Sequence, residues 1–328
     1  MPLETIYIAR HGFRLNFVTM EWKSLTGLAR DPPLASYGVS QAMELAQYFM
    51  SLPVEQRPTA IFSSGFYRCL QTATPIAEAL NIPLYVEQGC GEWYSTVTPG
   101  TGLHPRPGSA SSLQKYFPLI DSRWKPTWYP SRKGETLREL HNRTASFLRA
   151  FLARQDLASI PPSSPDSPAH DNADLATDVQ LELGKHKRIL FLGHGASVIA
   201  LAKELSGDMD MELRVGCCSL TTLVPKPNAQ RSAIISSLSP SEVINAGGPK
   251  GNALLGQWDV VSKADASFLA GGVERDWGLE DVVLDGQVVS EDGVPGTEGQ
   301  DEDPKDAGLQ VALPKAVLDT FHISHSRL

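Results

Sequence analysis

Short apolar runs along this chain alternate with longer stretches in which apolar residues recur every three or four positions. Thr5-Ile6-Tyr7-Ile8-Ala9 is a compact apolar run and predicts a buried strand. Val39, Ala42, Leu45, Ala46 and Phe49 then fall on one helical face, which predicts a helix over residues 39–49. Ala60-Ile61-Phe62-Ser63 predicts a second strand and residues 67–80 a helix that Pro75 should kink or delay. A third short strand is expected at residues 83–86. The strongest helical signal lies at 135–153, where Leu137, Leu140, Thr144, Phe147, Leu148 and Phe151 share a face. Residues 189–192 predict another buried strand, followed by a helix over 197–205, and late strands are expected at 218–224 and 258–262. Strands alternating with helices predict an α/β, three-layer sandwich around a mostly parallel sheet.

Three segments break the alternation. Residues 155–182 contain Pro161-Pro162-Ser163-Ser164-Pro165-Asp166-Ser167-Pro168 and lack periodicity, so a flexible surface insertion is expected there. Residues 225–252 are rich in Ser, Pro, Gly and Asn and are expected to form a long loop. From 286 onward the chain turns polar and acidic, which divides it into a main domain over 1–285 and an acidic, disordered tail over 286–328.

Composition narrows the classes of function. The 328 residues are 41 % hydrophobic, enough for a sizeable core, and carry a formal net charge of −8, which argues against general or direct nucleic-acid binding. Met1-Pro2-Leu3-Glu4-Thr5 has no secretory signature, and the most apolar later stretch is interrupted by His194 and Lys203, so no membrane span is expected. Cys69, Cys90, Cys217 and Cys218 form no CxxC pair and read as reduced, core-filling thiols of a cytoplasmic or nuclear protein.

Candidate chemistry gathers where the predicted strands end. Arg10-His11-Gly12-Phe13-Arg14 follows the first strand and sets an imidazole among guanidiniums able to hold a phosphate dianion. Arg68 follows the second strand near a helix N-terminus, a natural place for an anion. Glu92, in Gly89-Cys90-Gly91-Glu92-Trp93-Tyr94, follows the third strand, and a raised pKa beside the aromatic pair would suit a proton donor. Gly193-His194-Gly195 follows the later strand. Each cluster alone is compatible with a surface arginine, an ordinary carboxylate or a satisfied histidine. Together, on one expected sheet edge, they make a phosphate cradle with a nucleophile and a leaving-group acid.

These motifs, in this order, resemble the histidine phosphatase superfamily, also called phosphoglycerate mutase-like proteins. The resemblance rests on Arg10-His11-Gly12, on the Ser63-Ser64 segment with Arg68-Cys69 and Gln71-Thr72-Ala73, and on Gly193-His194-Gly195. It implies a phosphoglycerate mutase-like fold and a metal-independent phosphatase that needs no cofactor. It makes His11 the phosphorylated nucleophile, Glu92 the acid, His194 a catalytic partner, and Arg10, Arg14 and Arg68 the phosphate-binding residues. Arg14 and Gly91-Glu92-Trp93 are similar to the branch holding the suppressor-of-T-cell-receptor-signalling phosphatases, and the runs 6–14 and 66–73 to its fungal members. Those comprise the phosphatase-like tau subunit of RNA polymerase III transcription factor C and its free-standing relative. Gly65 stands where the family has Pro, and Arg14 where mutases have Ser, which speaks against mutase activity.

Between the third strand and the long helix, residues 93–133 are expected to form a lid. They hold Arg106, Lys115, Arg123, Lys125, Arg132 and Lys133 against Asp121, a local balance of +5 (six minus one), with aromatics interleaved. A basic lid suits an anionic phosphorylated substrate, small molecule or phosphoprotein, with an aromatic or bulky leaving group. Residues 291–306 hold seven acids and one lysine, a balance of −6 (one minus seven), and could fold back onto that lid. The alternative to an enzyme is a phosphatase-like scaffolding or assembly subunit that binds a phosphorylated protein partner, in RNA polymerase III transcription.

Overall fold

A computed structural model of the chain describes residues 3–158, 184–227, 255–284 and 303–311. Its centre is a six-stranded sheet of β1 (Thr5–Arg10), β2 (Ala60–Ser63), β3 (Leu84–Val86), β5 (Arg188–Gly193), β6 (Leu220–Pro225) and β7 (Trp258–Asp265). The spatial order is β3-β2-β5-β1-β6-β7. The β3/β2, β2/β5 and β5/β1 pairs are parallel, whereas β6 and β7 join antiparallel beyond β1.

The period-two geometry of the strands sends alternate side chains into two cores. Ile6, Ile8, Phe62, Ile189 and Phe191 face one core, shared with Phe147 and Phe151 of α4 (Leu137–Ala158) and Ile199 of α5 (Gly195–Ser206). Tyr7, Ala9, Ile61, Leu190 and Leu192 face the other, shared with Leu45 and Phe49 of α1 (Ser36–Ser51) and Leu70 and Ile76 of α2 (Tyr67–Leu80). Both faces are covered, so the central strands read as unbroken apolar runs.

Helix boundaries follow local chemistry. Thr136 and Glu139 form a capping box before α4: Glu139 N donates to Thr136 Oγ1, and Thr136 N donates to Glu139 Oε2. The helix α2 spans Tyr67–Leu80, the range the sequence predicts, with Pro75 inside it, and ends on Asn81 in the left-handed region at φ 51°. One boundary corrects the sequence reading. The first residues of the expected insertion, up to Ala158, continue α4; the rest of 155–182, and most of the 225–252 loop, lie outside the described residues.

The lid differs from a free flap. It carries a one-turn helix, α3 (Ala110–Leu113), and a two-residue strand, β4 (Trp128–Tyr129). Trp124 is 1 % exposed, and Phe117 and Leu113 are also buried. The fully buried Glu87, just past β3, accepts from Thr127 N, Trp128 N and Trp124 Nε1 of the lid and from Gly89 N. The expectation of disorder beyond residue 286 needs correcting at residues 303–311. Gly308–Leu309 (β8) pairs antiparallel with β4, because the lid presents an open strand edge there.

Candidate active site

Parallel strands β1, β2, β3 and β5 end on one edge, and the four sequence clusters follow those ends. His11 N donates to Gly193 O, which ties the β1 loop to the end of β5. Gly12 N donates to Thr72 Oγ1 of α2, and Phe13 N to Gln41 Oε1 of α1. The approach is so close that a Cβ on Gly12 would lie 2.7 Å from Gly38 O, and one on Gly38 2.2 Å from Phe13 O. Glycine at both positions lets the start of α1 press the histidine loop onto the sheet.

His11 is 2 % exposed, with Nδ1 2.8 Å from Gly12 O. A carbonyl only accepts, so Nδ1 carries the proton and Nε2 keeps the lone pair. Burial pushes the His11 pKa well below its ordinary value, and Arg68, His194, Arg14 and Arg10 push it further the same way. The ring is therefore a neutral imidazole at physiological pH. The His194 ring lies edge-on to it, with centroids 5.4 Å apart.

Arg68, 1 % exposed, organises the other side. Its Nη2 lies 3.0 Å from Glu92 Oε2, and its Nη1 lies 3.2 Å from Asp31 Oδ1. His194 Nδ1 lies 3.1 Å from the same Glu92 oxygen, and its Nε2 is 2.9 Å from Ser64 Oγ. An ionised carboxylate only accepts, so His194 donates from Nδ1 to Glu92 and accepts from Ser64 at Nε2. Burial brings the His194 pKa down to about 4 although Glu92 opposes it. For Glu92 burial acts upward, but His194, Arg68 and Arg14 outweigh it and hold the carboxyl well below the usual range. This corrects the raised pKa expected from the neighbouring aromatics: His194 first, and then the charges of Arg68 and Arg14, outweigh burial.

Arg10 Nη1 is anchored on Val215 O at 2.8 Å and Arg275 O at 2.6 Å. Arg10 Nε and Arg68 Nε are buried and have no hydrogen-bond partner among the described residues. A buried guanidinium N–H left this way favours an anionic ligand. Arg14 stacks on the Phe17 ring at 4.5 Å and is among the charges that shift His11, Glu92 and His194. The structure thus brings His11, Glu92, His194, Arg10, Arg14 and Arg68 together. Of the lid cations, Arg106 and Arg132 line a pocket next to Glu92, with Tyr94, His104 and Pro130. Lys115 lines a separate cleft, and Arg123 pairs with Asp121.

Asp31 was not singled out by the sequence. It is 1 % exposed, accepts from Tyr67 N with both oxygens, and so caps α2 as well as orienting Arg68. Its signal was an acid directly before Pro32-Pro33, where a side chain can cap only an element distant in sequence. Ser64 enters the sequence reading only as part of its motif, and Ser197 has no role there; Ser197 Oγ donates to Gly91 O and fixes the loop that carries Glu92. Gly65 now has a reason: a Cβ there would lie 2.9 Å from Pro107 Cβ of the lid. Among the described residues, no group of three or more His, Cys, Asp or Glu could hold a metal ion, and no helix is long and apolar enough to cross a membrane.

A histidine at the end of the first parallel strand, a second at the end of β5 and an arginine set between them define the class. The family model of the histidine phosphatase superfamily (branch 1) matches residues 6–160, and the chain belongs to that superfamily. It is 38 % identical over 232 residues to the transcription factor tau 55 kDa subunit of Saccharomyces cerevisiae. That match takes in 67 % of this chain and 47 % of the relative, so the chain spans about half the relative's length. Among solved structures, the ecdysone phosphate phosphatase of Bombix mori in complex with tungstate is 19 % identical. The match covers 80 % of this chain and 93 % of that one, with a TM-score of 0.48. A mycobacterial glucosyl-3-phosphoglycerate phosphatase in complex with VO3 is 16 % identical, with 79 % and 98 % covered and a TM-score of 0.42. The fold is the α/β sandwich around a mostly parallel sheet that the sequence predicts.

Proposed function

We propose that this chain hydrolyses phosphomonoesters through a phosphohistidine on His11. The observation that carries this is a buried, neutral imidazole whose Nδ1 is committed to Gly12 O, which leaves Nε2 to attack phosphorus in line. The P–O bond to the leaving group breaks as the N–P bond forms, and water then hydrolyses phospho-His11. Arg10, Arg14, Arg68 and His194 surround the transferring group, where charge spreads over the equatorial oxygens.

Charge balance explains how an ionised Glu92 can still be the acid. Arg10, Arg14 and Arg68 against Asp31 and Glu92 give a net of +1 (three minus two) with both histidines neutral. A phosphate dianion brings this to −1, and the added negative charge next to Glu92 raises its proton affinity. Glu92 can then take up a proton with the substrate and pass it to the departing oxygen.

His11→Ala should abolish turnover of aryl phosphates with the fold intact, and rapid quench should trap an acid-labile phosphoprotein from the unaltered chain only. Glu92→Gln should slow alkyl phosphates by about 10²–10⁴-fold and aryl phosphates far less, since a good leaving group needs no proton. Turnover by the His11 variant would overturn the reading.

A second reading has its own support. The similarity to a protein named as a transcription factor subunit favours an assembly role in the nucleus, with the arginine cradle holding a phosphorylated protein partner. Tight phosphopeptide binding without hydrolysis would select it.

A further inference from the structure

The lid strand Thr127-Trp128-Tyr129 is held from two sides. Its N–H groups at Thr127 and Trp128 go to the buried Glu87 carboxylate. Its far edge is paired by residues 308–310: Trp128 opposes Leu309, Tyr129 opposes Gly308, and Gln310 N donates to Thr127 O at 3.0 Å. Gln310 Nε2 also donates to Gly308 O, and Gly308 has φ +88°, a backbone state that suits only glycine. This local geometry is specific to these residues.

The strand leads directly into a wall of the site. Pro130, Ser131 and Arg132 line the pocket that also contains Glu92, Tyr94, His104 and Arg106. Arg106 lies over the Tyr129 ring at 5.0 Å and donates from Nη2 to Pro130 O at 2.8 Å. Arg132 Nε donates to His104 O at 2.8 Å. Movement of Tyr129 and Pro130 would therefore carry Arg106 with it, whereas Arg132 is tied to His104. If Glu92 protonates the departing oxygen, this pocket, which Glu92 lines, is on the side of the leaving group.

We propose that residues 308–310 are a positioning strand for the leaving-group pocket: by pairing with β4 they hold Pro130 and Arg106 in place, and so set which leaving groups are accepted. This rests on the phosphatase reading for its kinetic consequence but not for the pairing itself. A two-residue pairing is marginal alone, which makes it sensitive to a single backbone hydrogen bond.

The test is Gln310→Pro, which deletes the N–H that binds Thr127 O, beside Gln310→Ala, which keeps it. Gln310 is exposed, so neither change disturbs the core. Two quantities are measured on the full-length protein: amide hydrogen exchange over residues 124–133, and kinetics with acetyl phosphate and 1-naphthyl phosphate. Gln310→Pro should speed exchange across the lid strand. It should raise KM for 1-naphthyl phosphate about tenfold, in line with one lost hydrogen bond, and leave kcat and KM for acetyl phosphate near those of the unaltered chain. Gln310→Ala should match the unaltered chain in both. Unchanged lid exchange in the proline variant overturns the proposal whatever the kinetics show. Faster exchange with an equal effect on both substrates overturns the leaving-group role. No turnover by the unaltered chain instead sinks the phosphatase reading, and the leaving-group role with it.

Discussion

His11 sits among three guanidiniums, Arg68, Arg14 and Arg10, and is 2 % exposed. Taking a proton there would cost both desolvation and repulsion, so the imidazole stays neutral well into the acid range. On the proposed mechanism only the neutral ring attacks, so turnover should be lost as pH falls through the folded pKa, which lies well below 6.5. For an aryl phosphate, kcat/KM should therefore run flat through pH 6.5 and fall only further on the acid side, once the substrate's own ionisation is corrected for. A pH–rate profile with an acid limb centred at or above 6.5 would contradict the burial argument. The residue types at this site were legible because each stands at the end of a recognisable strand. The sign of the Glu92 shift was not, because it depends on His194 and Arg68, distant in sequence but 3.1 Å and 3.0 Å away in space.

The element with most influence on the site is the lid, and Glu87 is its anchor. This carboxylate accepts from backbone or indole N–H groups of Gly89, Trp124 and Thr127, all buried, and from the half-buried Trp128 N–H. Burial raises its pKa, and the N–H groups of Thr127 and Gly89 and the charge of Arg154 oppose the rise. Removing it would leave several buried donors without an acceptor. Glu87→Ala should cost on the order of 3 kcal/mol or more in urea unfolding. The same change should raise protease sensitivity between residues 93 and 133. A loss under 1 kcal/mol would show that the lid is held by its aromatic packing alone. The sequence offered no sign of this: Glu87 looks like an ordinary polar residue after a strand, and its partners lie some 40 positions on.

At the scale of the whole molecule, the buried site couples stability to pH. His194 has a folded pKa of about 4 and His11 is also lowered, whereas both regain ordinary values near 6.5 when unfolded. Between those limits the unfolded chain binds more protons, so stability is fully present above about pH 6.5 and declines as pH falls toward 4. Glu92, held below its usual range, adds a further loss once pH drops below the ordinary carboxylate value. Asp31 and Glu87 act in the opposite direction, since burial raises both. Their unfavourable contribution at neutral pH shrinks as they protonate in acid. Urea titrations at pH 7.5, 6 and 5 should show falling unfolding free energy, with a shallower fall in His194→Gln. A flat series would show that the two histidines are hydrated in the folded state.

The sequence by itself determined the layers and the residue types of the candidate site. Apolar runs such as Ile6–Ile8 and Ile189–Leu192 read as central strands, because they are too short for a helix and are apolar on both faces. The Arg10, His11, Arg68, Glu92 and His194 positions were visible because strand ends and helix starts have local signatures. Tertiary structure alone decided the rest. The ionisation of Glu92, the capping of α2 by Asp31 and the pairing of Gly308 with Tyr129 each join residues far apart in the chain, and the tautomer of His11 follows from a ring orientation onto Gly12 O that only the folded loop fixes. Local patterns record propensity and periodicity. Electrostatic sign and hydrogen-bond partnership depend on distances that exist only after folding.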